Sequence, residues 1–472
     1  QYATPGPSQP RAPRREPALN YELVQAPVEA TTFEALGVPD AIVAALVKAG
    51  CPTPFPIQAA TLPSAFAGRD VLGRAITGSG KTAAFAIPMV VAIAGSTKAR
   101  RPNMPRSLVL VPTRELASQV AKTIMPLARA MGLSVATVHG GVSQGPQVSA
   151  LRRGLDVLVA CPGRLEDLIE QGHCRLGAVE VAVLDEADHL ADLGFLPAVQ
   201  RILDQTPAGG QRMLFSATLD KGVDAVVRRY LNNPVTHSVD SVDATPPDLE
   251  HHAFTVAPDE KAAVVRELAS GKQRSLLFTR TKHGAKKLAK DLTARGIPAL
   301  DLHGNLSQAQ RDRNLASFAD GSTRVLVATD VAARGIHVDD IALVVHVDPP
   351  TEHKAYLHRS GRTARAGAKG AVVTVILPDQ AREVASMIRL AGVRPASSRV
   401  GPGALQTAAL TGPAAEPVYR PQTAPASPGP TRGPAKGSSG AYRGFGSGAK
   451  RTQRPQRPGF GAGAGAGRRR AR

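Results

Sequence analysis

Long apolar runs are missing from this sequence, and so is any paired arrangement of cysteine. No stretch of about 20 apolar residues occurs, so no segment reads as a bilayer-spanning helix. Residues 1–16 hold none of the apolar run that a secretory signal requires. The three cysteines, Cys51, Cys161 and Cys174, have neither metal-ligand spacing nor a second pair. They read as small packing residues rather than a zinc site, and a sparse, unpaired set fits a reducing cytoplasm. Acidic residues are absent after Glu416, yet that stretch carries twelve Lys and Arg. The last 56 residues therefore hold 12 of the 20 net positive charges. Such an imbalance calls for a polyanionic partner; the alternative is a solubilising tail that holds acids without selection.

What is present is one rhythm, played twice. Residues 1–30, rich in Pro and Ala with no steady apolar period, are expected to be a disordered leader. From Thr31, short runs such as Ser107-Leu-Val-Leu-Val-Pro112, Asp156-Val-Leu-Val-Ala160 and Val179-Glu-Val-Ala-Val-Leu184 alternate with helical stretches. The runs are largely continuous in apolar character, as parallel strands covered on both faces should be. Strands alternating with helices predict an α/β fold built on a doubly wound parallel sheet. The polar segment Asp240-Ser-Val-Asp-Ala-Thr-Pro-Pro247 interrupts the pattern. It then restarts with Arg274–Thr279, Ala299–Leu302, Arg324–Thr329, Leu343–Val347 and Ala371–Leu377 as strands and Lys282–Arg295 as a helix. The expected layout is a first domain over 31–238, a linker over 239–250 and a second domain over 251–395. A basic Gly/Pro/Arg-rich tail over 396–472 is too poor in apolar surface to offset its ordering entropy and is expected to be disordered.

Two segments carry phosphate chemistry. Ala75-Ile-Thr-Gly-Ser-Gly-Lys-Thr82 follows an apolar run and precedes a helix-compatible Ala-Ala-Phe-Ala. That is the context of a phosphate loop, with Ala75 where the strict pattern wants Gly. Glycines 78 and 80 let backbone amides converge on phosphate oxygens, and the following helix adds its positive end. Lys81 would reach the β and γ phosphates and Thr82 would bind Mg²⁺; a plain Gly-rich turn is the alternative. Val183-Leu-Asp-Glu-Ala-Asp188 ends a buried strand with three carboxylates. Beyond a phosphate loop, such acids suit a metal and a water-activating base, Asp185 for Mg²⁺ and Glu186 for the attacking water. An exposed acidic turn is the alternative.

With Asp185-Glu-Ala-Asp188 the chain resembles the DEAD-box ATP-dependent RNA helicases of superfamily 2, from about Phe33 to Ile388. Further motifs resembling the family's follow in order: Gly50-Cys-Pro-Thr-Pro-Phe-Pro-Ile-Gln58, Pro112-Thr-Arg-Glu-Leu-Ala117, Gly140-Gly141, Cys161-Pro-Gly-Arg-Leu165 and Ser216-Ala-Thr218. Then come Phe278–Thr281, Gln308–Arg311, Ala328–Gly335 and His358-Arg-Ser-Gly-Arg-Thr-Ala-Arg365. The resemblance implies two tandem RecA-like domains with ATP and RNA crossing their cleft. It implies that Gln58 reads adenine in two hydrogen bonds and that Phe33 stacks on it. Thr77, Gly78, Ser79, Gly80, Lys81 and Thr82 would hold the phosphates and the ion, with Gly335 and His337 at the ribose. Pro112, Thr113, Arg114, Gly140, Gly141, Pro162, Gly163, Arg164, Arg311 and Thr329 would contact the RNA backbone, which carries no sequence code. Asp188, Ser216, Thr218 and His358 would couple nucleotide state to RNA. Arg362 and Arg365 would reach the γ-phosphate across the cleft and stabilise transition-state charge.

The expected activity is therefore an RNA-dependent ATPase and non-processive helicase, a cytoplasmic monomer acting on structured RNA, ribosomal or RNA-decay ribonucleoproteins included. A DNA translocase of the same architecture and a non-catalytic RNA clamp are the competing readings. Heavy Ala, Gly and Arg usage suggests a bacterial type with a GC-rich genome. Departures from the family's pattern are few. His337 stands where a carboxylate usually holds the ribose, and a neutral imidazole has one acceptor nitrogen, which predicts weaker 2′-hydroxyl discrimination. Asp339 or Asp340 could substitute. Ser360, Ala364 and Cys161 also depart, the last removing a hydroxyl worth about 0.5–1.5 kcal/mol as an ordinary hydrogen bond. In the tail, arginines interleaved with Tyr442, Phe445 and Phe460 suit RNA tethering.

Overall fold

A computed structural model describes residues 31–75, 79–219, 221–239, 249–333, 338, 340–364 and 369–418. The leader 1–30, most of the linker and the tail beyond 418 lie outside the described residues, and with them the expectations of disorder placed there.

Each half of the described chain is a seven-stranded parallel sheet. The first contains β1 (Val71–Arg74), β2 (Ser107–Leu110), β3 (Val135–Val138), β4 (Val157–Ala160), β5 (Val181–Leu184), β6 (Gln211–Ser216) and β7 (Val235–Ser238). The second contains β8 (Leu249–Thr255), β9 (Arg274–Phe278), β10 (Ala299–Leu302), β11 (Val325–Ala328), β12 (Ile341–His346), β13 (Gly370–Ile376) and β14 (Ala396–Arg399). Their orders are β3-β4-β2-β5-β6-β1-β7 and β10-β11-β9-β12-β13-β8-β14. Renumbered within each half, the two orders are identical. The two RecA-like lobes are one topology used twice.

The unbroken apolar runs have a direct cause. Successive strand residues face opposite sides, and helices cover both. In the first lobe Val109, Val157, Val159, Val181 and Val183 enter one core cluster. Their neighbours Leu108, Leu110, Leu158, Ala182 and Leu184 enter the other. The second lobe repeats this, with Leu277, Val327 and Val345 on one side and Leu276, Leu326 and Val344 on the other. The Arg114–Ala130 helix shows the complementary period, burying Leu116, Ala117, Val120, Ala121, Ile124, Leu127 and Ala128 at three- and four-residue spacing.

The edge of each sheet where strands begin is tied by ion pairs, largely buried in the first lobe and exposed at Asp340 in the second. Arg106, just before β2, bonds Asp156 before β4 (Nη1 to Oδ1, 3.2 Å) and Glu180 before β5 (Nε to Oε1, 3.1 Å). In the second lobe Arg274 at the start of β9 bonds Asp340 before β12 at 3.0 Å. The opposite edge is thereby left to the site residues.

One boundary differs from the sequence expectation. The second domain does not stop at 395: Ala396–Arg399 pairs in parallel with β8, and a helix follows over Leu405–Thr411. The strand Ala-Ser-Ser-Arg has no apolar run to advertise it. It is held by backbone hydrogen bonds at a sheet edge, the counterpart of β7 in the first lobe. β8 likewise begins at Leu249, inside the span read as linker.

Beneath the helix His353–Ser360, His346 is fully buried, its Nδ1 3.1 Å from Thr374 Oγ1 and its ring edge-on to Tyr356. Burial holds its imidazole well below the usual value, helped by the Arg359 and His251 charges; burial also lowers His251. Below about pH 6.5 the unfolded chain binds protons that the folded chain refuses, so stability is full above that value and falls as pH drops through it. Denaturation midpoints measured from pH 7.5 to 5 should fall with a slope of up to about 1.4 kcal/mol per pH unit for each such histidine. His346→Asn should flatten that slope; an unaltered slope contradicts the assignment.

Candidate nucleotide site and nucleic-acid face

The expected nucleotide residues of the first lobe gather where β1, β5 and β6 end. β1 runs through Ala75 into the phosphate loop, of which Ile76, Thr77 and Gly78 lie outside the described residues, and the Lys81–Gly95 helix follows. Gly80 caps that helix at φ +84°, a conformation that strains any residue with a Cβ. A Cβ there would also come within 2.5 Å of the Gln58 amide and 3.0 Å of the Phe55 ring. Ser79 and Thr82 stand half-buried beside it. Lys81 is buried and donates from Nζ to Ala75 O at 2.9 Å, so its ammonium is curled over the loop. A 15-residue helix opening onto this loop directs amides and positive potential to it.

The acid motif continues β5. Asp185 is buried, and burial pushes its carboxyl up to about 7; the Lys81 charge opposes this, and Glu186 and Asp188 add to it. A buried carboxylate beside a threonine-bearing phosphate loop suits a hard divalent cation, and Thr82 and Asp185 would supply protein oxygens to Mg²⁺. Glu186 occupies left-handed backbone at φ +49°, uncommon for a residue with a side chain and frequent at functional sites. Its carboxylate Oε2 lies 3.0 Å from His189 Nδ1.

Three of the expected coupling residues, Asp188, Ser216 and Thr218, are in direct contact. Asp188 Oδ2 accepts from Thr218 N at 3.0 Å and from Thr218 Oγ1 at 3.1 Å. The Asp188 amide donates to Ser216 Oγ at 3.2 Å, and Ser216 Oγ donates to Thr218 O at 2.7 Å. The end of β6 is thus laced to the acid motif at the end of β5. His358 of the second lobe approaches the neighbouring Asp192 rather than this trio, its Nδ1 3.7 Å from Asp192 Oδ2. Burial lowers its pKa, although Asp188 and Asp192 pull the other way.

The proposed RNA residues of the first lobe follow the neighbouring strands β2, β3 and β4. Arg114 lies against Gly140 and Gly141; a Cβ at Gly141, whose φ is +79°, would overlap the Arg114 guanidinium. Arg164 reaches Val142 O at 3.4 Å. Thr113 caps the Arg114 helix, its Oγ1 accepting from Leu116 N at 3.2 Å. Pro162 is buried while Gly163 is open. In the second lobe Thr329 ends β11, its amide on Leu302 O at 3.2 Å.

Three more of the expected site residues are buried. Phe33 was expected to stack on a base, but it is 0% exposed and belongs to the apolar core. Gln58, expected to present its amide to adenine, is 1% exposed, its Oε1 accepting from Phe55 N and its Nε2 donating to Gly80 O, each at 3.0 Å, which leaves one lone pair and one N–H for a base. Arg311 was expected on RNA, but it is buried and bonds Glu115 Oε1 at 2.8 Å, beside Gln308 Nε2 at 3.0 Å. Glu115 lies in the first lobe and the other two in the second, so this is a lobe-to-lobe lock. Glu115 lies within Pro112–Ala117, but no local pattern signals this pairing, because its partner is 196 residues away.

Arg359 likewise has partners that no local pattern signals. It grips Asp330 with two hydrogen bonds (2.5 and 2.7 Å), donates to Asp348 O at 2.8 Å and lies 5.0 Å over the Phe278 ring. This fixes the turn carrying Arg362, which is buried. Gly335, His337, Asp339 and Arg365 lie outside the described residues; Asp340, the other offered substitute at the ribose, is paired with Arg274.

The buried Glu115 cannot remain where it is without a cation, since an unpaired buried charge costs about 3–5 kcal/mol. Arg311→Met should therefore part the lobes, returning Glu115 to water. Small-angle scattering should show a larger radius of gyration with little change in the melting of each lobe. An unchanged radius contradicts the lock.

With this geometry in view, the likenesses are specific. The DEAD/DEAH box helicase family matches residues 55–226, and the helicase conserved C-terminal domain matches residues 260–367. The chain is 43% identical over 368 residues to the DEAD-box ATP-dependent RNA helicase 3A, chloroplastic, of Zea mays, covering 76% of this chain and 49% of that one. It is 36% identical over 382 residues to the DEAD-box ATP-dependent RNA helicase 30 of Arabidopsis thaliana, covering 80% and 64%. The chain thus spans between about half and two thirds of the length of these curated relatives. Among solved structures it is similar to S. cerevisiae Dbp5 bound to RNA and ADP BeF3, at a TM-score of 0.69 and 25% identity, covering 78% of this chain and 96% of that one. Motif order, duplicated sheet and matched sequence agree: the chain belongs to the DEAD-box helicase family.

Proposed function

We propose that the chain is an RNA-dependent ATPase and non-processive RNA helicase that opens short duplexes by nucleotide-gated closure of its lobes. One observation supports the reading: the groups expected to act on a nucleotide are divided between the lobes. Lys81, Asp185 and Glu186 sit at the edge of one, and Arg362 of the other follows a helix whose His358 faces Asp192.

Lys81 and the phosphate-loop amides would hold the nucleotide phosphates. Thr82 and Asp185 would hold Mg²⁺, which supplies positive charge to the phosphate oxygens. Glu186 would orient the attacking water and accept its proton as the new oxygen–phosphorus bond forms and the bond to the β-phosphate oxygen breaks. Arg362, with Arg365, would neutralise charge developing on the transferred group. That contribution exists only with the lobes shut, so closure and hydrolysis become one event. The Asp188–Ser216–Thr218 joint would carry the change to the RNA edge, where Arg114, Gly141, Arg164 and Thr329 face the sugar–phosphate backbone. Contacts to 2′-hydroxyls would favour RNA over DNA.

Structured RNA is the proposed partner, ribosomal or RNA-decay ribonucleoproteins being the candidate assemblies, with the chain acting as a monomer. A cytoplasmic location is proposed from the sparse, unspaced cysteines of the sequence. Among the described residues no helix is long and apolar enough to cross a membrane.

Glu186→Gln should lower RNA-stimulated phosphate release by at least about a hundredfold, the lower range for a general base, while ATP-dependent RNA retention persists. Phosphate-release and filter-binding assays read the two halves. Retained turnover in that variant removes Glu186 from its role, and stimulation of the wild type by DNA as strong as by RNA turns the reading toward a DNA translocase.

The basic tail is proposed to tether RNA without choosing a sequence. Truncation after Val418 should weaken RNA affinity and shallow its salt dependence, because each lost phosphate contact removes counterion release. An unchanged salt slope dismisses the tether.

A further inference from the structure

We propose that His189 is a positioning residue for hydrolysis: its ring aims the Glu186 carboxylate, and its backbone ties that aim to the Asp188–Thr218 joint. The inference rests on the proposed role of Glu186 and adds what holds that base in place. Glu186 occupies left-handed backbone just before the Ala187–Asp192 helix, and His189 lies three residues on, within that helix. The His189 Nδ1 is 3.0 Å from Glu186 Oε2, and the two side chains are 7% and 9% exposed. An ionised carboxylate only accepts, so the ring proton that faces it is on Nδ1.

A buried histidine is ordinarily a core residue with both ring nitrogens satisfied. His189 is different. Its Nε2 has no hydrogen-bond partner among the described residues, and its Nδ1 is given to the base. An unbonded buried nitrogen is a penalty that a leucine filling the same space would not carry. The contact with Glu186 is what the imidazole adds.

The backbone of His189 is held as well. Its amide donates to Asp188 Oδ1 at 3.0 Å. The other oxygen of that carboxylate accepts from Thr218 N at 3.0 Å and from Thr218 Oγ1 at 3.1 Å. One carboxylate therefore joins the end of β6 to the peptide that carries the ring. A movement of the Ser216–Thr218 turn draws on Asp188, shifts the His189 peptide and re-aims the base. Small shifts suffice, because misplacing a reacting group by about 1 Å can lose on the order of a hundredfold in rate.

Steady-state phosphate release by the full chain with RNA tests this. His189→Leu removes the donor and should lower kcat about ten- to a hundredfold, the range for one hydrogen bond to a charged group and for a misplaced base. KM for ATP and ATP-dependent RNA retention should stay at their wild-type values. His189→Asn keeps an N–H at the place of Nδ1 and should recover most of the rate. His189→Gln carries its N–H one carbon further out and should be as slow as His189→Leu. In the Glu186→Gln background, His189→Leu should cause no further fall, because residues acting as a unit are not additive. Melting temperatures confirm that each variant folds.

Wild-type kcat in His189→Leu overturns the positioning role, as does a further fall in the Glu186→Gln background. If His189→Leu does not fold, the Asn and Gln variants decide, and equal kcat in the two overturns the role. A wild type without RNA-stimulated hydrolysis, or full turnover in Glu186→Gln, defeats the reading of Glu186 itself. A slow Glu186→Gln beside a fast His189→Leu defeats only the inference about His189.

Discussion

A strand that runs parallel to its neighbour must be reached by a crossover, and in this chain every crossover leaves from the same edge of its sheet. That constraint gathers residues distant in sequence. The ends of β1, β5 and β6 bring together the phosphate loop, the acid motif and Ser216; the ends of β2, β3 and β4 bring together Arg114, Gly140 and Arg164. In open α/β sheets ligands collect outside the carboxyl ends of strands. Here the groups proposed for nucleotide and for nucleic acid occupy adjoining stretches of that edge, and hydrogen bonds such as Thr218 N to Asp188 Oδ2 lace neighbouring strand ends together.

The starts of the strands carry a different chemistry. Arg106 with Asp156 and Glu180, and Arg274 with Asp340, tie strand beginnings together in both lobes. These charges are paired where they sit, so they hold shape. At the other edge the charges are arranged for exchange: Lys81 is curled onto Ala75 O, and Asp185 is raised by its own burial. Duplication gives each lobe the same frame, but only the first has the phosphate loop and acids. The second contributes arginines held by a frame of their own, Asp330 and Phe278 beneath Arg359.

Between the lobes, Glu115 is a buried carboxylate with two donors from the opposite half. Its energetics favour a discrete alternative rather than gradual opening. A half-withdrawn Arg311 would leave a buried charge unpaired, so the contact is either complete or abandoned to water. A two-position device of this kind fits the proposed cycle, in which the lobes close and release in turn.

The family, the alternating strands and the phosphate and acid motifs were legible from residues alone, because each depends on neighbours within a few positions. Apolar continuity identified β2, β4, β5, β9, β11, β12 and β13 before any coordinates, since burial on both faces demands it. The edge strand β14 was not legible: Ala-Ser-Ser-Arg carries no burial pattern, and backbone pairing with β8 alone makes it a strand. The inward turn of Gln58, the burial of Phe33 and the capture of Arg311 by Glu115 were equally hidden. The sequence determined which chemical groups this protein possesses, because motif chemistry is local. The tertiary structure decided which of them face the cleft and which are consumed in holding it, because exposure and pairing depend on residues brought together from as far as 196 positions apart.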